Sequence, residues 1–255
     1  MNNSFINQLK LFFYDFRKFD KKIVYIFIFT AVIHSISWYY ISRSFFDEVI
    51  DPGNTANDLF KFLYWFLGDA LLLFLAPLLL ISFKFKENLS EYGFSIKNRK
   101  FGFQLILIFS ILFLPAAWLL MSNEYFALNH PYLPSAKNEV LIFAVYEFGM
   151  LLYIFSWEFF WRGFFLFGIE KKFGVYAIFI QMLPFVFLHF GKPFGETIAS
   201  IFGALILGML ALKTRSFIYG FILHFLMMFM LDVFSVIKFY LSQFNRMAGS
   251  FLNIF

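Results

Sequence analysis

The chain has 255 residues, of which 61% are hydrophobic and only 15% are charged, with a mean hydropathy of +0.75. Soluble domains carry about 25% charged residues, so this composition excludes an ordinary soluble enzyme and indicates a membrane protein. The absence of cysteine excludes disulfides, thiolate metal sites and cysteine nucleophiles, whereas the net charge of +5 comes from short basic segments between apolar runs, which argues against nucleic acid as a partner.

The N-terminal segment, residues 1–22, is predicted to lie on the cytoplasmic membrane surface. Phe5, Leu9, Phe12 and Phe16 recur at helical spacing, with basic residues among them. An apolar stripe beside basic residues is typical of an amphipathic helix in the membrane interface.

Seven apolar segments follow, each close to the roughly 20 residues that cross a bilayer as a helix. The fourth is long enough to tilt or break, so an eighth span is an alternative. These segments predict one all-α polytopic domain over residues 23–240, with seven to eight transmembrane helices around a polar intramembrane cavity, and a C-terminal tail at 241–255. The seven spans are about 23–42, 59–83, 102–121, 141–168, 173–190, 196–212 and 216–240.

The distribution of basic residues predicts the orientation. Four segments hold 14 of the 21 Lys and Arg residues, namely 1–22, 84–100, 169–172 and 213–215. Basic residues favour the cytoplasmic side, so the N-terminus is predicted to be cytoplasmic and the C-terminus external.

Ionisable residues inside three of the last four spans are the strongest functional signal. Glu158 and Arg162 stand four residues apart, acid first, which favours a helical ion pair. His189 and His224 lie in the next and the last of these spans. Such side chains are costly in lipid, so they normally face a protein interior or a wet cavity and have partners.

Distance from the basic anchors gives the depth of these groups. At about 1.5 Å per residue, Glu158 lies roughly 20 Å and His224 roughly 14 Å from the cytoplasmic side. His189 lies roughly 26 Å away, nearer the external surface. The three groups are predicted to share a site, where they could ligate zinc with a water as fourth ligand, or activate water without a metal.

Other polar residues carry weaker signals. Met228 and Asp232 share a helix stripe with His224. Met228 is expected to pack, whereas Asp232 either orients His224 or another histidine through water, or is a solvated acid at the outer interface. Glu147 could line the mouth of a cavity, and His130, in a loop, is expected to be solvated. His34 and Asp69 do not belong to a recognisable group of site residues.

In this order on separate helices, the residues Glu158, Arg162 and Gly163, then Phe185-x-x-x-His189, then His224, resemble the CPBP family of intramembrane proteases. These are type II CAAX prenyl endopeptidases, bacteriocin-processing enzymes and bacterial "Abi" proteins. The resemblance extends over about 90–240 and includes the segment EYGFSI before the third span.

The resemblance implies a helical membrane fold and hydrolysis of a peptide bond in a membrane-associated or prenylated-like peptide, in a metalloprotease-like manner. It implies that Glu158 and His189 activate water, that His224, alone or together with Asp232, stabilises the oxyanion, and that Arg162 orients Glu158. A bacterial inner membrane location also follows only from it.

The family pattern is EExxxR, FxxxH and HxxxN or HxxxD, and this chain departs from it twice. Trp157 replaces the first glutamate, and Met228 replaces the final Asn or Asp. Either Glu158 serves as the base, or the chain is a non-catalytic scaffold or immunity protein that binds a peptide partner. A proton or small-molecule transporter is a third reading, but it would need inverted repeats, which the sequence does not show.

Overall fold

The computed structural model describes residues 3–16, 18–54, 57–192 and 194–252, without the side chains of 3–4, 15–16 and 247–252. About 85% of the chain is helical, and the described part contains no strand. Eight principal helices follow one another: α1 Asn3–Phe16, α2 Lys21–Ile50, α3 Asp58–Phe85, α4 Arg99–Leu120, α5 Val140–Glu158 continued by Phe159–Phe165 and Leu166–Phe173, α6 Ala177–Phe187, α7 Phe194–Thr214 and α8 Ile218–Leu252.

The helices begin where the sequence supplies side-chain caps. The Asp20 carboxylate accepts hydrogen bonds from the backbone N–H groups of Lys22 and Ile23 at the start of α2. The Asn57 side chain does the same for Leu59 at the start of α3. Such caps satisfy backbone donors that have no partner within the helix.

This is an all-α polytopic membrane protein. Six helical stretches of the described chain are long and apolar enough to cross a membrane. Their outward faces carry apolar side chains, among them Leu112 and Leu119, which are 65% and 69% exposed. Apolar surface of this extent is what lipid, rather than water, solvates.

One of the six stretches, Val140–Phe187, contains both the fourth and the fifth predicted spans. This stretch reverses direction near Gly174, so that α6 packs back against α5. The contact is shown by the ring of Phe185 on α6, which lies 5.9 Å from that of Trp157 and 6.4 Å from that of Trp161 on α5. Residues 141–168 do not divide into two spans. Instead the helix widens into a π-helical turn at Phe159–Phe165.

The two ends of the chain are both helical. The N-terminal segment forms α1 as predicted. The last helix differs from the prediction, since α8 continues to Leu252, well into the segment expected to be a tail.

The centre of the molecule is α5, which is buried on every side from residue 158 to 169. A helix buried all round must lie in the middle of a bundle. Neighbouring backbone segments that approach α5 closely fix it in this position. A side-chain carbon at Gly163 would come within 3.0 Å of the Tyr92 carbonyl oxygen, and one at Gly93, where φ is +83°, within 2.9 Å of the Phe217 backbone nitrogen. The EYGF segment and the start of α8 therefore pack directly on the π-helical turn.

Candidate functional site

Glu158 is the centre of a buried ionic cluster. Its Oε1 accepts hydrogen bonds from Arg162 Nη1 at 2.9 Å and from His224 Nδ1 at 2.7 Å. The side chains of Glu158 and Arg162 are fully buried, whereas that of His224 is 19% exposed. The predicted pairing of Glu158 with Arg162 is confirmed, and α8 delivers His224 to the same carboxylate oxygen.

Arg162 lies within the π-helical turn of α5, a widened geometry that often occurs at functional sites. Its guanidinium carbon is 4.4 Å from the centre of the Phe185 ring, a cation–π contact with α6. Its Nε and Nη2 have no protein partner in the described chain. The arginine therefore holds Glu158 on one side and the helix that carries His189 on the other.

The second carboxylate oxygen of Glu158, Oε2, is buried and has no hydrogen-bond partner in the described chain. It faces Gly220, where an added side-chain carbon would lie 3.3 Å from it. Because Gly220 has no side chain, the space beside Oε2 is not filled by α8. A carboxylate held at one oxygen and open at the other can accept a proton there.

His189 belongs to the same region but does not bond to Glu158. Its Nδ1 pairs with the Phe185 carbonyl oxygen at 2.8 Å, and since a carbonyl only accepts, Nδ1 carries the proton. Nε2 of the neutral ring is then an acceptor. The ring lies 4.8 Å from that of Phe185, and His224 is within electrostatic range. We call Glu158, Arg162, His189 and His224 the inner cluster.

The predicted zinc set does not fit this geometry. No group of three or more His, Asp or Glu side chains in the described ranges is placed to hold a metal ion. In the inner cluster, Oε1 of Glu158 already binds Arg162 and His224. We therefore derive the chemistry of the site without a metal.

The model of the family "Type II CAAX prenyl endopeptidase Rce1-like" matches residues 139–230, a range that includes the whole inner cluster. Over this segment the chain is similar to the Rce1-like family. No curated protein and no solved structure matches the chain. The resemblance to CPBP proteases is thus confirmed, over a shorter range than the predicted 90–240.

In the Rce1-like segment, Trp157 occupies the position of the first family glutamate. Its ring packs among those of Tyr153, Trp161 and Phe185. Trp157 therefore points towards α6 and His189, whereas Glu158 points towards α8 and His224. The substitution leaves His189 without a carboxylate partner. Met228 packs against an apolar cluster, as expected for that residue.

Asp232 belongs to a second buried group, outside the Rce1-like segment. Its Oδ1 pairs with Nδ1 of His130 at 2.8 Å, and the two side chains are 1% and 4% exposed. The expectation that His130 is solvated is wrong, because the loop between α4 and α5 folds inwards and inserts this ring against α8. Asp232 therefore does not orient His224. Of the alternatives that the sequence left open for Asp232, the structure shows that it pairs with another histidine, His130.

Glu147, on the facing side of α5, is buried, and its carboxyl group interacts with that of Asp232. The sequence signal for this group was weak, since only the shared helix stripe of His224 and Asp232 pointed to this end of α8.

Two other buried polar residues are structural. Asp69 accepts from Ser37 at 2.7 Å and from Trp65 at 2.9 Å, which ties α3 to α2. His34 lies among aromatic rings, 4.8 Å from that of Phe160.

Proposed function

We propose that this protein is an intramembrane endopeptidase of the CAAX type, which hydrolyses a peptide bond in a membrane-associated or prenylated-like peptide. One observation carries the proposal. Within the Rce1-like segment, a fully buried glutamate is held at one oxygen by an arginine and a histidine and keeps its other oxygen free. That is the arrangement of a preorganised general base in a low-dielectric site.

The reaction uses residues of the inner cluster in turn. Oε2 of Glu158 takes a proton from a water molecule, whose oxygen attacks the scissile carbonyl carbon. The protonated form of His224, which donates Nδ1–H to Glu158, offers Nε2–H to the resulting oxyanion. When the carbon–nitrogen bond breaks, the proton on Glu158 passes to the leaving amine. Nε2 of His189 accepts a hydrogen bond from the attacking water and orients it.

Cleavage of a prenylated CAAX-type peptide by the purified protein in liposomes tests this proposal. We expect His224→Gln and His189→Gln to lower kcat/KM by about 100-fold or more, as loss of a general acid–base or oxyanion group does. His34→Gln is the matched control, because His34 also bonds through Nδ1 to the carbonyl four residues before it, at Thr30, yet lies outside the inner cluster. Equal cleavage by all three variants would reject the mechanism.

A second function is supported by Trp157 and Met228, which stand where the family pattern has polar site residues. With its first family glutamate replaced, the same site would bind a peptide partner without cleaving it, as a scaffold or immunity protein. This function predicts that no candidate peptide is cleaved, and that binding of the partner survives loss of both histidines. Binding of labelled peptide to the His189→Gln/His224→Gln double variant separates the two proposals.

Gly220→Ala probes the free oxygen of Glu158. The added methyl group would lie 3.3 Å from Oε2, where the attacking water must stand, so we expect kcat/KM to fall about tenfold. Stability should hold or rise by up to about 1 kcal/mol, since alanine favours a helix over glycine. Gly203→Ala on α7 is the control, because nothing lies within 4 Å of its added carbon. Unchanged cleavage by Gly220→Ala would contradict the role of Oε2.

We further propose a bacterial inner membrane location, which rests on the resemblance to CPBP proteases. The N-terminus is proposed to be cytoplasmic, because most basic residues fall in the segments on that side. Lipid and a membrane-associated peptide are then the partners. Single cysteines introduced into this cysteine-free chain at Lys97 and Tyr125 would report the orientation. Labelling of Tyr125→Cys, but not Lys97→Cys, by an impermeant maleimide in intact cells is the expected pattern.

A further inference from the structure

The external loop between α4 and α5 binds both of the structural elements that carry the histidines of the inner cluster. On one side, His130 pairs with Asp232 of α8 at 2.8 Å. Asp232 is eight residues, or about 12 Å of helix, from His224. Because α8 is a continuous helix, the position of Asp232 determines both the rotation and the height of His224.

On the other side, the same loop reaches the turn between α6 and α7. Lys192 Nζ donates to the Tyr132 hydroxyl at 3.3 Å. The backbone N–H of Lys192 in turn bonds to the His189 carbonyl at 3.2 Å. Thr197 also donates to that carbonyl, at 3.0 Å, and Lys192 pairs with Glu196 at 2.6 Å. Tyr132 is therefore coupled through one tight turn to the backbone of His189.

The contacts with Asp232 and with Lys192 are made by neighbouring rings of one loop, since the ring centres of His130 and Tyr132 lie 5.3 Å apart. The backbone N–H of Tyr132 bonds to the Tyr146 hydroxyl at 3.3 Å, which fixes the loop on α5 as well. Burial raises the pKa of the Tyr132 hydroxyl, so it stays protonated and neutral beside Lys192. The loop thus has a rigid attachment to all three elements.

We infer that His130 and Tyr132 form a brace that positions His224 relative to His189. Both brace residues and Asp232 lie outside the segment that matches the Rce1-like family. The need for a brace follows from the inner cluster itself. Glu158 holds the ring of His224 directly, whereas the ring of His189 bonds in the described chain to the Phe185 carbonyl of its own segment. The position of His189 therefore depends on the turn formed with Lys192 and Thr197, which is the turn that Tyr132 contacts through Lys192.

The brace can be tested without an assay of activity, because the chain has no native cysteine to remove. Nitroxide labels on Phe190→Cys, next to His189, and Ile237→Cys, on α8, would occupy positions that are 61% and 41% exposed. Pulsed electron paramagnetic resonance in liposomes then gives the distribution of distances between the two elements. We expect one narrow peak for the labelled protein.

Two brace variants should broaden that peak, namely His130→Asn and Tyr132→Phe. Tyr125→Phe is the matched control, because it removes a hydroxyl from the same loop at a side chain that is 55% exposed. The exchanged pair His130→Asp/Asp232→His should narrow the peak again, since it restores the interaction with the partners reversed. Unchanged distributions in His130→Asn and Tyr132→Phe would overturn the inference, and Tyr132→Phe is mild enough to fold.

The catalytic consequence rests on the proposed function. If the protein cleaves peptides, Tyr132→Phe should lower kcat about tenfold with little change in KM, because misplaced histidines affect the transition state more than binding. The exchanged pair should recover most of the activity lost in His130→Asn. Absence of cleavage by the unaltered protein would reject the proposed function, while the distance measurements would still decide whether the brace exists.

Discussion

Glu158→Gln is expected to lower the free energy of unfolding by about 3 kcal/mol or more, because it leaves the guanidinium of Arg162 buried without a counter-charge. Both side chains are fully buried, and Nε and Nη2 of Arg162 have no hydrogen-bond partner in the described chain. The amide can still accept hydrogen bonds at one oxygen, so the loss is electrostatic. Chemical unfolding of the purified protein in mixed micelles measures the difference.

The explanation can be separated from simple loss of packing. The double variant Glu158→Gln/Arg162→Met should recover most of the lost stability, since removal of both buried charges is often nearly neutral. Glu196→Gln breaks another i,i+4 pair, in which Lys192 is 37% exposed, and should cost less than about 1 kcal/mol. If both single variants are equally destabilised, the buried charge is not the cause.

Trp157→Glu is expected to increase cleavage about tenfold or more, while it lowers stability by about 3 kcal/mol. The new carboxylate would stand where the family has its first glutamate, on the side of α5 that faces Phe185 and His189. There it would give His189 the acidic partner that it lacks. The stability cost comes from the loss of an indole that packs against three aromatic rings.

Trp157→Gln separates the two effects in this experiment. Glutamine has nearly the same size and polarity as glutamate but cannot accept a proton from water, so it should show the stability loss without the gain in rate. Both variants are compared in liposomes at equal folded concentration. A rate gain in Trp157→Gln, or none in Trp157→Glu, would show that position 157 does not limit the reaction.

The parts of the site that the sequence predicts are those that follow from helical spacing. Glu158 and Arg162 are four residues apart on one helix, so their pairing needs no knowledge of the rest of the fold. The apolar runs likewise predict the membrane helices, since about 20 apolar residues suffice to cross lipid as a helix. The packing role of Met228 was also predicted from the sequence.

The second buried group could not be predicted in this way. His130 and Asp232 are 102 residues apart, and nothing in the loop around His130 distinguishes a buried ring from a solvated one. The length of α8 was also underestimated, because the polar residues after 240 resemble a tail when read without their neighbours. The zinc alternative depended on side-chain orientations in the same way, since residue types suggested a ligand set that the described side chains do not form.

The sequence alone determined that this is a helical membrane protein with an acid, an arginine and two histidines in its apolar spans, because the cost of burying backbone and charge in lipid acts on every residue locally. Only the tertiary structure decided which of these groups meet. His224 reaches Glu158, His189 bonds back to Phe185 at the end of α6, and a loop histidine reaches Asp232. Helix rotation and packing, which depend on the whole bundle, set the direction of each side chain.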